Sequence, residues 1–146
     1  MITTLKELLE LCTTPELYSY VKEQMIGLYN QLSPCSEIPD GKFQSFAMHT
    51  NPTLSLGDNF KILGTISILF DYKVIHNGGV VCRIEDFVVD KEERNHGIGT
   101  ELILQAKKMA SEKEAYKIIL DCKPELEDFY IKHGFNYKNI QMGLYY

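Results

Sequence analysis

The residue pattern predicts an α+β protein in which helices flank a mixed central β-sheet. Two observations carry that prediction. Helical periodicity occupies the N-terminal stretch and returns after residue 98, whereas the middle of the chain is a series of β-branched runs punctuated by glycine, asparagine and aspartate. The resulting order is helices, β-meander, helix, strand, helix, strand, which is that of one mixed sheet rather than of alternating βαβ units.

Residues 3 to 32 read as helical in two pieces, broken near Thr13-Thr14-Pro15, with Thr14 as a cap ahead of Pro15 in the first turn. Leu17, Tyr20, Val21, Ile26, Leu28 and Leu32 give the second piece an imperfect apolar stripe. Pro34, Pro39, Asp40 and Gly41 mark a loop. From Phe43 to Asp90 the pattern reads as strands, although no first strand can be placed before residue 50. Thr53 to Leu56 and Lys61 to Phe70 form a hairpin about Gly57-Asp58-Asn59, and a turn at His76-Asn77-Gly78-Gly79 leads into Val80 to Val89. A helix from Ile98 to about Lys113 turns Ile98, Leu102, Ala106, Met109 and Ala110 inward, with Glu101, Gln105, Lys108 and Glu112 outward. Lys117 to Leu120 is a short strand, Pro124 opens a short acidic-headed helix that Gly134 closes, and Phe135 to Tyr146 is expected as a last strand.

The 146 residues suit one domain, and 45% apolar residues are enough for a core without a metal or disulfide staple. Cys12, Cys35, Cys82 and Cys122 are scattered, no signal-like apolar stretch follows Met1, and no run reaches membrane-spanning length. A reducing, cytoplasmic location is therefore expected. A net charge of −5 excludes a general nucleic-acid binder. His49, His76, His96 and His133 lack ligand spacing, so no metal is expected.

Chemistry concentrates between residues 84 and 130. The strand Ile84-Glu85-Asp86-Phe87-Val88-Val89 runs into Arg94-Asn95-His96-Gly97-Ile98-Gly99 and a helix. Gly97 and Gly99 let backbone approach a ligand, and the first helical turn adds free N–H groups and a positive dipole end, which together cradle an anion such as pyrophosphate. The same glycines also fit a tight connection with no ligand. A phosphate-binding P-loop is excluded by Thr100-Glu101 after Gly99, and a dinucleotide fingerprint by Leu102 at its third glycine position. Glu85 and Asp86 interrupt an apolar strand. Alternation points them to opposite faces, so one carboxylate faces the interior or a cleft, either as a paired structural acid or as a group holding a substrate amine. Asp121, at the end of its strand, and Tyr130, on the short helix, read either as site residues or as capping and core residues.

Taken together, these segments resemble the GNAT superfamily of N-acetyltransferases. Arg94-Asn95-His96-Gly97-Ile98-Gly99 satisfies its acyl-CoA signature, Q/R-x-x-G-x-G/A. Lys73-Val74-Ile75-His76, Ile84-Glu85-Asp86, Tyr116-Lys117-Ile118-Ile119-Leu120-Asp121-Cys122, Phe129-Tyr130 and Gly134-Phe135 extend the likeness to the glucosamine 6-phosphate N-acetyltransferases of eukaryotic type, over roughly residues 50 to 146. The resemblance implies the GNAT fold with strands splayed at the acyl-CoA site, and acetyl-CoA as cosubstrate. It implies that backbone of Phe87, Val88 and Val89 pairs with the pantetheine arm, and that Arg94 to Thr100, with Cys122 and Lys123, hold the rest of the cofactor. Lys73, Val74, Ile75, His76, Glu85, Asp86, Tyr116 and Lys117 would line the sugar site. Two departures stand out: Leu126 where many members have Asn, and no cation after Lys138 where the sugar-phosphate enzymes place one near the C-terminus.

The implied reaction is direct acetyl transfer to the amine of glucosamine 6-phosphate, on the route to UDP-N-acetylglucosamine. Asp121, a backbone carbonyl or a Glu85-bound water would take the amine proton, a backbone N–H near Phe87 or Val88 would polarise the thioester, and Tyr130 would meet the departing sulfur. Cys82 and Cys122 lie near no evident histidine base, so no covalent intermediate is expected. A homodimer is expected from the apolar, aromatic C-terminal segment. Two other readings stay open: transfer to another small amine or amino sugar, and a CoA-binding domain without catalysis.

Overall fold

The computed structural model describes all 146 residues. β1 (Ile2–Thr4) enters the edge of the sheet before any helix forms, pairing antiparallel with β2 (Thr53–Leu56) through Ile2–Ser55, Thr3–Leu54 and Thr4–Thr53. This corrects the helical reading of residues 3 and 4. Thr4 then caps α1 (Leu5–Glu10): its hydroxyl accepts from the Glu7 N–H at 3.2 Å, while its own N–H donates to the Glu7 carboxylate at 2.8 Å. Those hydrogen bonds favour the anion and hold the Glu7 carboxyl below its ordinary value. α2 (Pro15–Tyr29) starts as expected, with the Thr14 hydroxyl accepting from the Leu17 N–H. Its buried stripe is Val21, Met25 and Leu28, however, and Tyr20 and Leu32 of the expected stripe are exposed.

α3 (Asp40–His49) replaces the strand expected from Phe43. Phe43 and Ala47, four residues apart and both buried, give it a helical and not an alternating face. β2 is followed by β3 (Ile62–Tyr72), the single turn α4 (Ile75–Gly78) and β4 (Val80–Val89). Next come α5 (Ile98–Glu112), β5 (Ala115–Ile119) and α6 (Glu127–Lys132). The five strands lie in sequence order; all neighbours are antiparallel except β4 and β5, which run parallel on either side of the α5 crossover. The strand expected over Phe135 to Tyr146 is absent. That segment is irregular, and Tyr137, Ile140, Met142, Leu144, Tyr145 and Tyr146 are all exposed.

Two apolar layers sandwich the sheet. On one face α1, α2 and α3 bury Leu5, Val21, Met25 and Phe43 against Leu54, Leu56 and Val88. On the other, α5 lays Ile98, Leu102, Ile103, Ala106 and Ala110 over Ile66, Ile68, Cys82 and Ile84. Ile103 joins the stripe; Met109 is only half-buried. The helix approaches closely because β3 has Gly64 beneath it. A Cβ there would sit 3.1 Å from the Val88 carbonyl oxygen and 3.2 Å from the Ile98 and Leu102 side chains. Leu102, fully buried at this contact, should carry much of the layer's stability. Leu102→Ala is expected to lower the unfolding free energy by about 3 kcal/mol in urea titrations, and a loss under about 1 kcal/mol would place the weight of the contact elsewhere.

Candidate active site

The site begins with an irregularity in β4. Ser67 pairs with Glu85 and Thr65 with Val88, so Ile66 alone stands opposite both Asp86 and Phe87. The extra residue makes a β-bulge, and Asp86 takes a left-handed φ of 46°. On the other side, the parallel ladder with β5 ends at Arg83–Ile119. The strands therefore part after Arg83 and Ile119, and from Ile84 onward β4 presents an edge that β5 does not pair. This is a place where an extended chain can add its own hydrogen bonds.

The loop after β4 turns that edge into an anion cradle. Arg94 is tied back by its Nε–H, which donates to the Val89 carbonyl at 3.1 Å. Asn95 (φ 65°) and Gly97 (φ 85°) are left-handed, which reverses the chain within three residues. Gly97 is the N-cap of α5 and supplies no capping side chain, so the amides of the first turn are left free for an anion. Space around Gly97 is open, whereas a Cβ on Gly99 would rest 3.4 Å from the Phe129 ring and 3.5 Å from that of Phe87. Gly97 thus faces outward to a ligand, and Gly99 lets α5 sit on the aromatic pair. His96 is exposed. Thr100 is held from the far side, its hydroxyl 3.2 Å from Nε2 of His133, while Nδ1 of the same ring lies 2.7 Å from the Phe129 carbonyl and so carries the proton there.

The carboxylates gather at the mouth of the opening. Glu85 is half-buried and Asp86 is exposed; the bulge, rather than simple alternation, sets their directions. Burial pushes the Glu85 carboxyl up, Arg83 pulls it down, and Asp86 and Asp121 raise it again. Partial burial also lifts Asp86. Asp121 follows β5 in an exposed stretch and reaches Arg83. A cavity of about 630 Å³ runs along the free edge of β5, lined by Arg83, Lys117, Asp121, Cys122 and Tyr130 and closed by residues 135–141. Tyr130 is buried among Phe87, Phe129 and Phe135, and that burial, reinforced by Cys122, pushes its phenol up to about 12. Cys122 and Lys123 are exposed beside it. The Cys122 thiol is raised by burial and by Glu127 and Asp121, the reverse of what a nucleophilic cysteine needs. No group of three or more His, Cys, Asp or Glu side chains is arranged to hold a metal ion.

The structure does not bring every expected substrate residue together. Glu85, Asp86 and Asp121 share the opening, and Lys117 lines the cavity. Lys73, Val74, Ile75 and His76 instead lie at the opposite end of the β3–β4 hairpin, where Val74 is 95% exposed, Ile75 is 64% exposed and Lys73 is paired with Asp71. His76 packs on Tyr116, ring centroids 4.4 Å apart, at the start of β5. Five residues of extended chain separate Tyr116 from Asp121, roughly 16 Å. Sequence reasoning missed Arg83 and His133. Arg83 stands two residues before Glu85, and that same-face spacing was the available signal.

A strand edge freed by a bulge, a glycine-capped helix start and a buried phenol across the opening define an acyl-CoA-dependent transferase site. In agreement, residues 8–135 match the model of the acetyltransferase (GNAT) family. The chain belongs to that family, whose enzymes use acetyl-CoA as cosubstrate, and it is an N-acetyltransferase. It is 34% identical over 134 residues to a probable glucosamine 6-phosphate N-acetyltransferase 2 of Oryza sativa subsp. japonica, covering 83% of this chain and 79% of that one. A glucosamine 6-phosphate N-acetyltransferase 1 of Dictyostelium discoideum is 34% identical over 126 residues, covering 86% and 74%. The crystal structure of the glucosamine-6-phosphate N-acetyltransferase of Arabidopsis thaliana superposes with a TM-score of 0.82 at 27% identity, over 100% of this chain and 97% of that one.

The cradle makes a direct prediction. Acetyl-CoA at a hundredfold its Kd should stabilise the wild type by about 2.7 kcal/mol, read as a rise in Tm. Gly97→Val, strained at a φ of 85° and crowding the first-turn amides, should lose most of that rise. Gly99→Ala, which meets only ordinary contacts, should keep it. Equal shifts in all three proteins would remove Gly97 from the cofactor site.

Proposed function

We propose that this chain, acting as one N-acetyltransferase domain over residues 1–146, transfers the acetyl group of acetyl-CoA to the amine of glucosamine 6-phosphate, giving N-acetylglucosamine 6-phosphate. The observation that carries the reading is the meeting of Glu85 and Asp121 around Arg83 at the parting of β4 and β5, with Asp86 beside Glu85 at the bulge and the Arg94 to Thr100 loop following on the same strand. The names of the rice, slime-mould and Arabidopsis relatives support the same acceptor.

Acetyl-CoA supplies an activated thioester carbonyl; the chain supplies position and charge. First-turn amides of α5, with Arg94, Asn95 and His96, hold the pyrophosphate, while Cys122 and Lys123 flank the arm. Backbone of Phe87, Val88 and Val89 pairs with the pantetheine amides, and one of those N–H groups polarises the carbonyl. Glu85, through a water, or Asp121 takes the proton that the amine must lose before its lone pair attacks. Attack forms the C–N bond as the C–S bond breaks, with no acyl-enzyme. A phenol at about 12 lies roughly three units above an ordinary thiol, so Tyr130 donates a hydrogen bond to the departing sulfur more readily than it surrenders its proton. Tyr130→Phe should therefore lower kcat about tenfold with little change in acetyl-CoA affinity. The alkaline limb of the wild-type profile below pH 10 should persist in the variant, and its disappearance would show Tyr130 to be the titrating group.

The acceptor site is completed by a second copy of the chain. β5 has an unpaired outer edge, and the segment from 136 to 146 exposes apolar and aromatic side chains without forming a strand. Each protomer's tail meets these needs in its partner, giving a homodimer of two-fold symmetry. Lys117, with Lys73 contributed by the second copy, is the cation set for the phosphate. No helix is long and apolar enough to cross a membrane, and all four cysteines are free; a cytoplasmic site of action suits both. Residues 139–146 carry no cation, which favours one rival reading, an acceptor without phosphate. Competition between glucosamine 6-phosphate and glucosamine at low and high salt, in the full chain and in a chain ending at Lys138, decides between them. Preference for the phosphate that fades with salt, together with a dimer that the truncation dissociates in sedimentation, is the expected result. Equal kcat/KM for both sugars at low salt would sink the phosphate assignment, and a full-length monomer would sink the dimer.

A further inference from the structure

Arg83 and Glu85 lie two residues apart on β4 and so share a face. The parallel ladder ends at Arg83–Ile119, and Asp121 lies two residues beyond Ile119, which sets it beside Glu85 across the opening. Arg83 Nη1 is 3.7 Å from Glu85 Oε1 and 3.7 Å from Asp121 Oδ2. Both separations are too long for a direct hydrogen bond and suit an ion pair, so the guanidinium sits between the carboxylates without being committed to either. Neither carboxylate has a second cationic partner: Lys73 is paired with Asp71, and Lys117 lies over the Tyr116 ring.

We propose that Arg83 is a positioning residue of the acceptor-amine site, bridging Glu85 and Asp121 across the β4–β5 opening and setting the spacing and charge that an incoming amine meets. The proposal rests on the reading of those two carboxylates as amine-side groups. Without Arg83, Glu85 and Asp121 would face one another with no counter-charge, with Asp86 next to Glu85 in the strand, and like charges oppose one another's ionisation. The surroundings add no replacement. From α2 the buried phenol of Tyr29 faces Asp86; from the α6 side Glu127 and Tyr130 stand near Cys122; along β5 only Lys117 is cationic. Arginine suits the task because it stays charged at every pH at which a protein is folded, and its fork can serve two partners. A fixed cation here opposes the upward push that burial gives the Glu85 carboxyl.

Two readouts on Arg83→Met test this. The first is a 13C titration of the Glu85 and Asp121 side-chain carboxyls, which needs no acceptor. Removing a cation raises a carboxyl, so the Glu85 midpoint should move up by about one unit at low salt. The second is the pH profile of kcat/KM for glucosamine 6-phosphate. Its acid limb should shift in the same direction, with a loss that approaches tenfold on the acid side of the limb and shrinks towards neutral pH, and with unchanged acetyl-CoA affinity. Arg83→Lys, which keeps the charge but not the fork, should fall between the two. Unmoved midpoints overturn the proposal, and so does a shifted midpoint with an unshifted acid limb. If the wild type fails to acetylate the sugar, the acceptor assignment falls while the titration still decides whether Arg83 bridges the pair. Arg83 is 41% exposed on its side chain, and Arg83→Gln repeats both measurements should the methionine variant be unfolded.

Discussion

Everything at this site follows from a mismatch in strand length: between two paired positions, β4 has one residue more than β3 can match. The bulge at Asp86 and Phe87 bends β4 away from β5, and the parallel ladder stops at Arg83. Backbone groups that would otherwise be spent on β5 are left for a ligand. The cost is a left-handed non-glycine residue, Asp86, and a strand edge left bare in the middle of a sheet. Both are tolerated because the flanking layers are firmly packed. Val88 is buried under α2 on one face, and Ile84 under α5 on the other, so β4 is pinned on both sides of the kink.

That geometry also resolves an electrostatic difficulty. A chain with a net charge of −5 must bind an anionic cofactor next to a cluster of carboxylates. On the proposed reading, oriented amides at the start of α5 meet that charge without needing a free cation, while Glu85 and Asp121 have Arg83 between them at the end of the β4–β5 ladder. His133, which braces Thr100 from α6, ties the phenol-bearing helix to the cradle.

How much of this was legible depended on whether a signal was local. The β2–β3 and β3–β4 hairpins, α5 and the α6 cap are written in strong periodicity and turn residues. β1 is three residues long, too short to produce any periodicity, and it exists only because β2 offers an edge. α3 was masked because Phe43 and Phe46 read as strand formers until their burial against α2 reveals a helical face. The tail erred the other way: its aromatic residues and Ile140 have strand propensity, but a strand needs a partner, and within one chain residues 136–146 have none. Among the candidate site residues, Glu85 and the Gly97 turn break a local pattern, whereas Asp121 and Tyr130 read equally as capping and core residues and took their roles from the family resemblance. Arg83 gave only the weak signal of its spacing from Glu85, since an arginine beside an apolar run looks like an ordinary solvated position. Lys73 to His76 match a motif in sequence, yet lie at the other end of the hairpin from the carboxylates.

The bulge makes chain length, more than residue identity, the guarded property of β4. Substituting Asp86 leaves two residues opposite Ile66 and so leaves the kink in place. Excising it would let Phe87 pair with Ile66 while Glu85 and Val88 kept the partners they already have. The ladder would then close into regular antiparallel register, with both hydrophobic layers undisturbed. A single-codon deletion here would heal the strand and close the groove in one event, leaving a sound scaffold with nowhere to dock its acyl donor. Lineages of this protein should therefore almost never show a gap at position 86.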